Sequence, residues 1–180
     1  MRLTSYTDYS LRVLIYLGLQ NDRLATIADI SRAYDISANH LMKIIHNLGK
    51  LGYIQTIRGR GGGMRLAGKP GEINLGQLVR QVEPDFAIVE CFDPNRRQDC
   101  VITPACRLQL VLDKAVHAFL DVLDRHTLAD LLRNPTRLKE LLQVDTTAIA
   151  SRVEPGTQVR RHRGTDSRRT LEQPPSEARH

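Results

Sequence analysis

Three cysteines, Cys91, Cys100 and Cys106, stand in one short stretch of the chain, separated by eight and then by five residues. Thiolates are soft donors, and three of them fill three of the four positions around a zinc ion or an iron–sulfur cluster. Zinc sites commonly pair their ligands about two to four residues apart. No such pair occurs here, and wider spacing suits a larger inorganic core. Asp93, Pro94, Asn95 and Pro104 are polar or turn-forming, and Glu90 and Asp99 adjoin cysteines, so the stretch is ill suited to burying its thiols as core. An odd cysteine count argues against a disulfide framework, and the absence of a Cys-x-x-Cys pair argues against a thiol oxidoreductase. No accompanying base or oxyanion motif marks a Cys–His nucleophile, and the expectation is a protein that is not an enzyme.

A second set of residues suits polyanion binding. Ser37, Asn39, His40 and Lys43 open an amphipathic segment, and Arg58, Arg60 and Arg65 surround the glycine run 59–63. Asparagine bonds an adenine edge bidentately, lysine suits guanine or phosphate, and a histidine ring donates to either. Arginines on a thin hairpin fit a narrow minor groove, whose negative potential attracts them. A nucleotide-binding glycine loop would need Gly-Lys-Ser/Thr opening a helix, whereas Gly63 is followed by the strand-like Met64-Arg65-Leu66.

The elements that must position these residues follow from periodicity. Tyr6, Tyr9, Val13, Tyr16 and Leu17 recur at helical spacing and predict a helix over 5–20. Thr26 caps a short helix over 27–34, and Ser37 is expected to cap a second from Ala38 to about Lys50, with Leu41, Ile44, Ile45 and Leu48 on its inner side and Gly52 at its end. Two short helices joined by a tight link make a helix-turn-helix. Residues 53–57 and 64–67 alternate as two strands of a hairpin, the wing of a winged helix. A helix over about 74–82 stops at Glu83-Pro84. Residues 86–106 are expected to be irregular. Leu108, Val111, Leu112, Ala115, Val116, Phe119 and Leu123 predict the longest helix, over about 105–123, before a small one at 128–132 that ends near Asn134-Pro135.

At 180 residues the chain suffices for one domain with an appendage, and its scarce aromatics, three Phe, five Tyr and no Trp, disfavour a β-sandwich. The fold class expected is mainly α with a small β-hairpin wing: a winged helix-turn-helix head plus a long helix. The net charge of +6 is unevenly spread: residues 1–70 carry +6, residues 71–150 carry −3 and residues 151–180 carry +3. A basic head on a mildly acidic body is the balance of a nucleic-acid-binding protein with a second task. The divisions expected are a DNA-binding domain over 1–83, a cysteine-bearing loop over 84–106, a region with the long helix and C-terminal helices over 107–145, and a disordered basic tail over 146–180. No run of 18 apolar residues is present and the N-terminus has no signal-peptide pattern, so a cytoplasmic protein without membrane contact is expected.

Residues 1–9 (MRLTSYTDY), 36–41 (ISANHL), the Arg58–Gly63 run and the cysteine triplet, taken in that order, resemble the nitric-oxide-sensing repressors of the IscR-like winged-helix iron–sulfur regulator family, over residues 1 to about 145. The resemblance implies a homodimer on palindromic double-stranded operator DNA, with the long helix of 107–145 as a dimerisation helix, 84–106 as a cluster-binding loop, and one iron–sulfur cluster (2Fe–2S or 4Fe–4S) per subunit held by Cys91, Cys100 and Cys106. It implies release of the operator when nitric oxide reaches the cluster. It also implies a fourth ligand, Asp8, given across the dimer to the partner's cluster. The other role open to Asp8 is a carboxylate in the first turn of a helix, where the dipole favours it. IscR-like members that sense cluster status carry a histidine three residues after the third cysteine; Gln109 stands there in this chain. Iron–sulfur-status sensing and a cluster-free cysteine redox switch are the alternative readings, and His117 is read as an interface or surface residue.

Overall fold

The computed structural model describes residues 2–21, 23–93, 96 and 100–144. Within them the chain forms α1 (Ser5–Gly18), α2 (Ile27–Tyr34), α3 (Ala38–Lys50), β1 (Ile54–Ile57), β2 (Gly63–Leu66), α4 (Leu75–Val82), α5 (Arg107–Asp124), α6 (Leu128–Leu131) and α7 (Pro135–Leu141). The tail expected over 146–180 lies outside the described residues. No described helix is long and apolar enough to cross a membrane.

Local chemistry explains most of the head. Thr26 and Asp29 form a reciprocal capping box at the start of α2: the Asp29 N–H donates to Thr26 Oγ1 at 3.2 Å and the Thr26 N–H to Asp29 Oδ2 at 2.9 Å. Asp35 closes α2 in the left-handed region at φ 53°, which a short polar side chain tolerates, and Ile36 follows as a buried residue. The link between α2 and α3 is thereby as tight as a helix-turn-helix requires. Leu41, Ile44, Ile45 and Leu48 of α3 are buried with Val13, Leu14 and Leu17 of α1, Ile30 of α2, Ile54 and Met64 of the strands, and Leu78 of α4. Gly52, at φ 80°, then turns the chain into β1.

The strands pair antiparallel, Gln55 opposite Arg65 and Ile57 opposite Gly63. A third backbone segment joins them at Ala25, whose N–H and carbonyl both bond Met64, at 2.9 and 2.8 Å. This double bond fixes the wing to the segment entering α2. At the wing tip a side chain on Gly62 would collide with the carbonyl oxygen of Ile57, so the turn closes only around a glycine.

A smaller cluster, Val79, Val116 and Leu120, joins α4 to α5, with Phe86, Ile88 and Phe92 packed on it. Arg80 of α4 and Asp124 of α5 form a two-pronged ion pair, with Arg80 Nη2 2.7 Å from Asp124 Oδ2.

Two expectations are corrected. Ser37 makes no capping hydrogen bond, so α3 begins without a side-chain cap. The segment 86–106 is not wholly irregular: Glu90–Phe92 and Thr103–Ala105 are 3-10 turns. The small helix expected over 128–132 ends before Asn134-Pro135, at Leu131, and Pro135 then opens α7 at its first turn, where a missing N–H costs nothing; the Asn134 side chain accepts from the Arg137 N–H.

Candidate nucleic-acid interface and cysteine loop

On α3 the side chains opposite the buried face, including Asn39, His40 and Lys43, are exposed, as is Ser37 just before it. The hydroxyl of Ser37, free of a capping role, faces solvent beside them. The Tyr6 hydroxyl of α1 donates to the Lys43 carbonyl at 3.4 Å, a direct tie between α1 and the middle of α3. Arg58 and Arg60 lie exposed at the wing tip. Arg65 is placed differently. It sits on β2, half-buried, with Nε and Nη2 donating to Gln55 Oε1 at 3.2 and 3.1 Å. The structure thus separates one of the three sequence-predicted wing arginines from the tip and sets it across the hairpin body.

The cysteines are all free thiols, Cys100 exposed and the other two half-buried. Cys91 lies in the 3-10 turn Glu90–Phe92, held down by Phe92 on the α4–α5 cluster. It lines an open cleft of about 830 Å³ with Asp85, Gln109, Asp113 and His117. Cys106 directly precedes α5 and uses no side-chain atom to cap it. Among the described residues no three His, Cys, Asp or Glu side chains converge as a metal-holding group. The loop therefore brings the thiols into one segment without gathering them into one site. The donor set nonetheless fits an iron–sulfur centre: three soft sulfurs, none consumed by a disulfide or a helix cap.

Asp8 sits in the first turn of α1 with its side chain 46% exposed, paired with Arg12 at 2.8 Å. The Arg12 guanidinium lies 5.8 Å from the ring centres of both Tyr9 and Tyr34. Burial, partly offset by Arg12, pushes the Tyr34 hydroxyl up to about 12.

Sequence reasoning missed Glu83. Its carboxylate accepts from the Thr4 N–H at 3.2 Å, from the Thr4 hydroxyl at 3.1 Å and from the buried Thr7 hydroxyl. The residue that ends α4, immediately before the cysteine loop, thus clamps the turn of α1 that carries Asp8. No local signal in the sequence pointed to it: the partners Thr4 and Thr7 lie 79 and 76 residues away in the chain.

The pattern of the Rrf2 family, iron-dependent transcriptional regulators, matches residues 3–134. The chain belongs to the Rrf2 family. It is 54% identical over 145 residues to the HTH-type transcriptional regulator NsrR of Bacillus subtilis, covering 80% of this chain and 99% of that protein. NsrR of Bacillus licheniformis is 52% identical over 143 residues, covering 79% of this chain and 99% of that one. Among solved structures, T. potens IscR superposes with a TM-score of 0.60 at 22% identity, over 74% of this chain and 88% of that one, a likeness of fold. The winged-helix fold class read from the sequence is therefore borne out, and the chain is a DNA-binding transcriptional regulator of a family that does not consist of enzymes.

Proposed function

We propose that this Rrf2-family regulator is a homodimeric repressor that senses nitric oxide through an iron–sulfur centre held by Cys91, Cys100 and Cys106, with Asp8 supplied by the partner subunit. The observation that carries the reading is the free thiol triplet on the loop that directly follows Glu83, the residue hydrogen-bonded to the first turn of α1. The centre, when bound, supplies iron sites with affinity for nitric oxide. The carboxylate of Asp8 is a hard oxygen donor and a poor match for soft iron, which suits a fourth position that a diatomic molecule can take.

The chain's own residues supply the rest. Ser37, Asn39, His40 and Lys43 on α3 enter the major groove of each half-site, and Arg58 and Arg60 reach the flanking groove, with Arg65 bracing the hairpin. Leu108, Leu110 and Val111 are large apolar side chains left exposed along α5, and they support pairing of this helix with a second copy. The route from loop to DNA runs from Glu83 to Thr4 and Thr7, along α1, and through Tyr6 to Lys43. A near-complete switch from 99:1 to 1:99 requires the loop to change the balance of the two states by about 5.5 kcal/mol.

The test is protein purified without oxygen. Visible charge-transfer absorption, operator binding, and loss of both on titration with nitric oxide are the expected results. Colourless, zinc-loaded protein would eliminate the cluster. A coloured protein whose DNA binding follows cluster loading but ignores nitric oxide would instead establish iron–sulfur-status sensing.

A further inference from the structure

The outward face of α3 holds a residue that electrostatics does not explain. Leu41, Ile44, Ile45 and Leu48 form the buried stripe at spacings of three and four, and Asn39, Met42, Lys43 and His46 repeat the same spacing on the opposite side. Three of these four are polar or cationic. Met42 is apolar and 49% exposed, with the exposed Ala38 one turn before it on the same side.

A thioether donates no hydrogen bond and accepts only weakly, so it has no use for a phosphate, a guanine edge or an adenine edge. Among the groups that base pairs present in the major groove, the 5-methyl of thymine is the apolar one. We propose that Met42 is a specificity-determining residue that packs against a thymine methyl in each half-site, beside the polar contacts of Asn39 and Lys43. The inference rests on the reading of α3 as the recognition helix. Charge complementarity identifies the occupant of this face as DNA: Lys43 on the same stripe and Arg58 and Arg60 on the wing are exposed cations. The thioether's flexibility lets it follow a methyl over a range of positions, and exclusion of water from one methyl is worth about fourfold in affinity.

The experiment selects a binding site from a random duplex pool with the full-length chain, then replaces each thymine of that site in turn by uracil, which removes only the methyl. The expected result is one thymine per half-site whose replacement weakens wild-type binding about fourfold, with Met42→Ala insensitive at that position and Met42→Leu retaining part of the discrimination. Uracil effects elsewhere should be equal in all three proteins, since they reflect DNA shape. Wild-type and Met42→Ala proteins with identical uracil profiles would overturn the assignment. If Asn39→Ala and Lys43→Ala also select and bind the same site as wild type, the recognition-helix reading itself fails. If those two variants are impaired while the uracil profiles match, Met42 alone is refuted.

Discussion

Replacing Glu83 should loosen the first turn of α1 from the start of the cysteine loop, and the hydrogen bonds fix how much. Glu83→Ala removes three acceptor contacts: those with the Thr4 N–H, the Thr4 hydroxyl and the Thr7 hydroxyl. Hydrogen bonds to a charged group are worth about 1.5–3 kcal/mol each when shielded. Glu83 and Thr4 are only half-buried, so water replaces part of what Thr4 loses. Thr7 is 0% exposed, and its hydroxyl keeps only the 3.3 Å contact with Thr4 Oγ1. A loss of about 2–3 kcal/mol results, or a fall in Tm of roughly 5–10 °C for a chain of this size. Glu83→Gln retains an acceptor oxygen and should lose about half as much. Urea titration of cluster-free, full-length protein measures the loss, and a double-mutant cycle with Thr7→Val isolates the contact. A coupling energy below about 0.3–0.5 kcal/mol, the scatter expected of independent sites, would refute the clamp. The same variants should show a weaker effect of nitric oxide on DNA affinity, since the proposed route from loop to head begins at this carboxylate.

Lys43→Ala and Arg60→Ala should each weaken operator binding without shifting the unfolding midpoint, and each lost phosphate contact should flatten the log-affinity against log-salt slope by about one unit. Cys91→Ala, Cys100→Ala and Cys106→Ala should each give colourless protein that no longer responds to nitric oxide. Asp8→Ala should still assemble a centre, with an altered spectrum; in a heterodimer of Asp8→Ala and Cys100→Ala subunits, a wild-type spectrum places the ligand across the dimer and the Asp8→Ala spectrum places it within one chain. Arg80 holds the Asp124 carboxyl below its ordinary 3.8, chiefly through their hydrogen bond, and the Thr127 N–H and Arg133 do the same for Asp130. Folded-state values lowered in this way contribute stability above pH 3.8 that is lost as the pH falls through the folded values, so Asp124→Asn should flatten the acid limb of the stability–pH curve measured by urea midpoint.

The head was legible because its signals are local. The capping threonine at 26, the stripe at 41, 44, 45 and 48 and the left-handed Gly52 all act within one or two turns of themselves. Where the reading failed, one residue type had two local meanings or a distant partner. Ser37 suits a cap that the backbone of α3 does not use. Thr7 and Ser10 look like surface residues of α1, yet both are buried, one on Glu83 from 76 residues away and the other on the Tyr6 carbonyl one turn back. The periodicity of α5 identified a helix but not its covered half: Val116 and Leu120 meet α4, while Leu108, Leu110 and Val111 do not.

The cysteine loop shows how far residue type alone can go. Its two ends are anchored, Glu83 on α1 and Phe86 and Phe92 on the α4–α5 cluster at one end, and Cys106 at the first turn of α5 at the other. Cys100, Val101 and Ile102 do not share in this packing: Cys100 is exposed, and Val101 and Ile102 are 97% and 62% exposed. Drawing three thiols onto one centre, as proposed, therefore moves Cys100 toward the fixed ends and carries Val101 and Ile102 with it. Two exposed apolar side chains tied to that motion lose water contact only if they meet another apolar surface, and the uncovered side of α5 on a second copy offers one. On this account, loading the centre and covering the apolar residues are one event, and the energy that holds the two heads at a fixed spacing comes from burial as well as from the sulfur ligands.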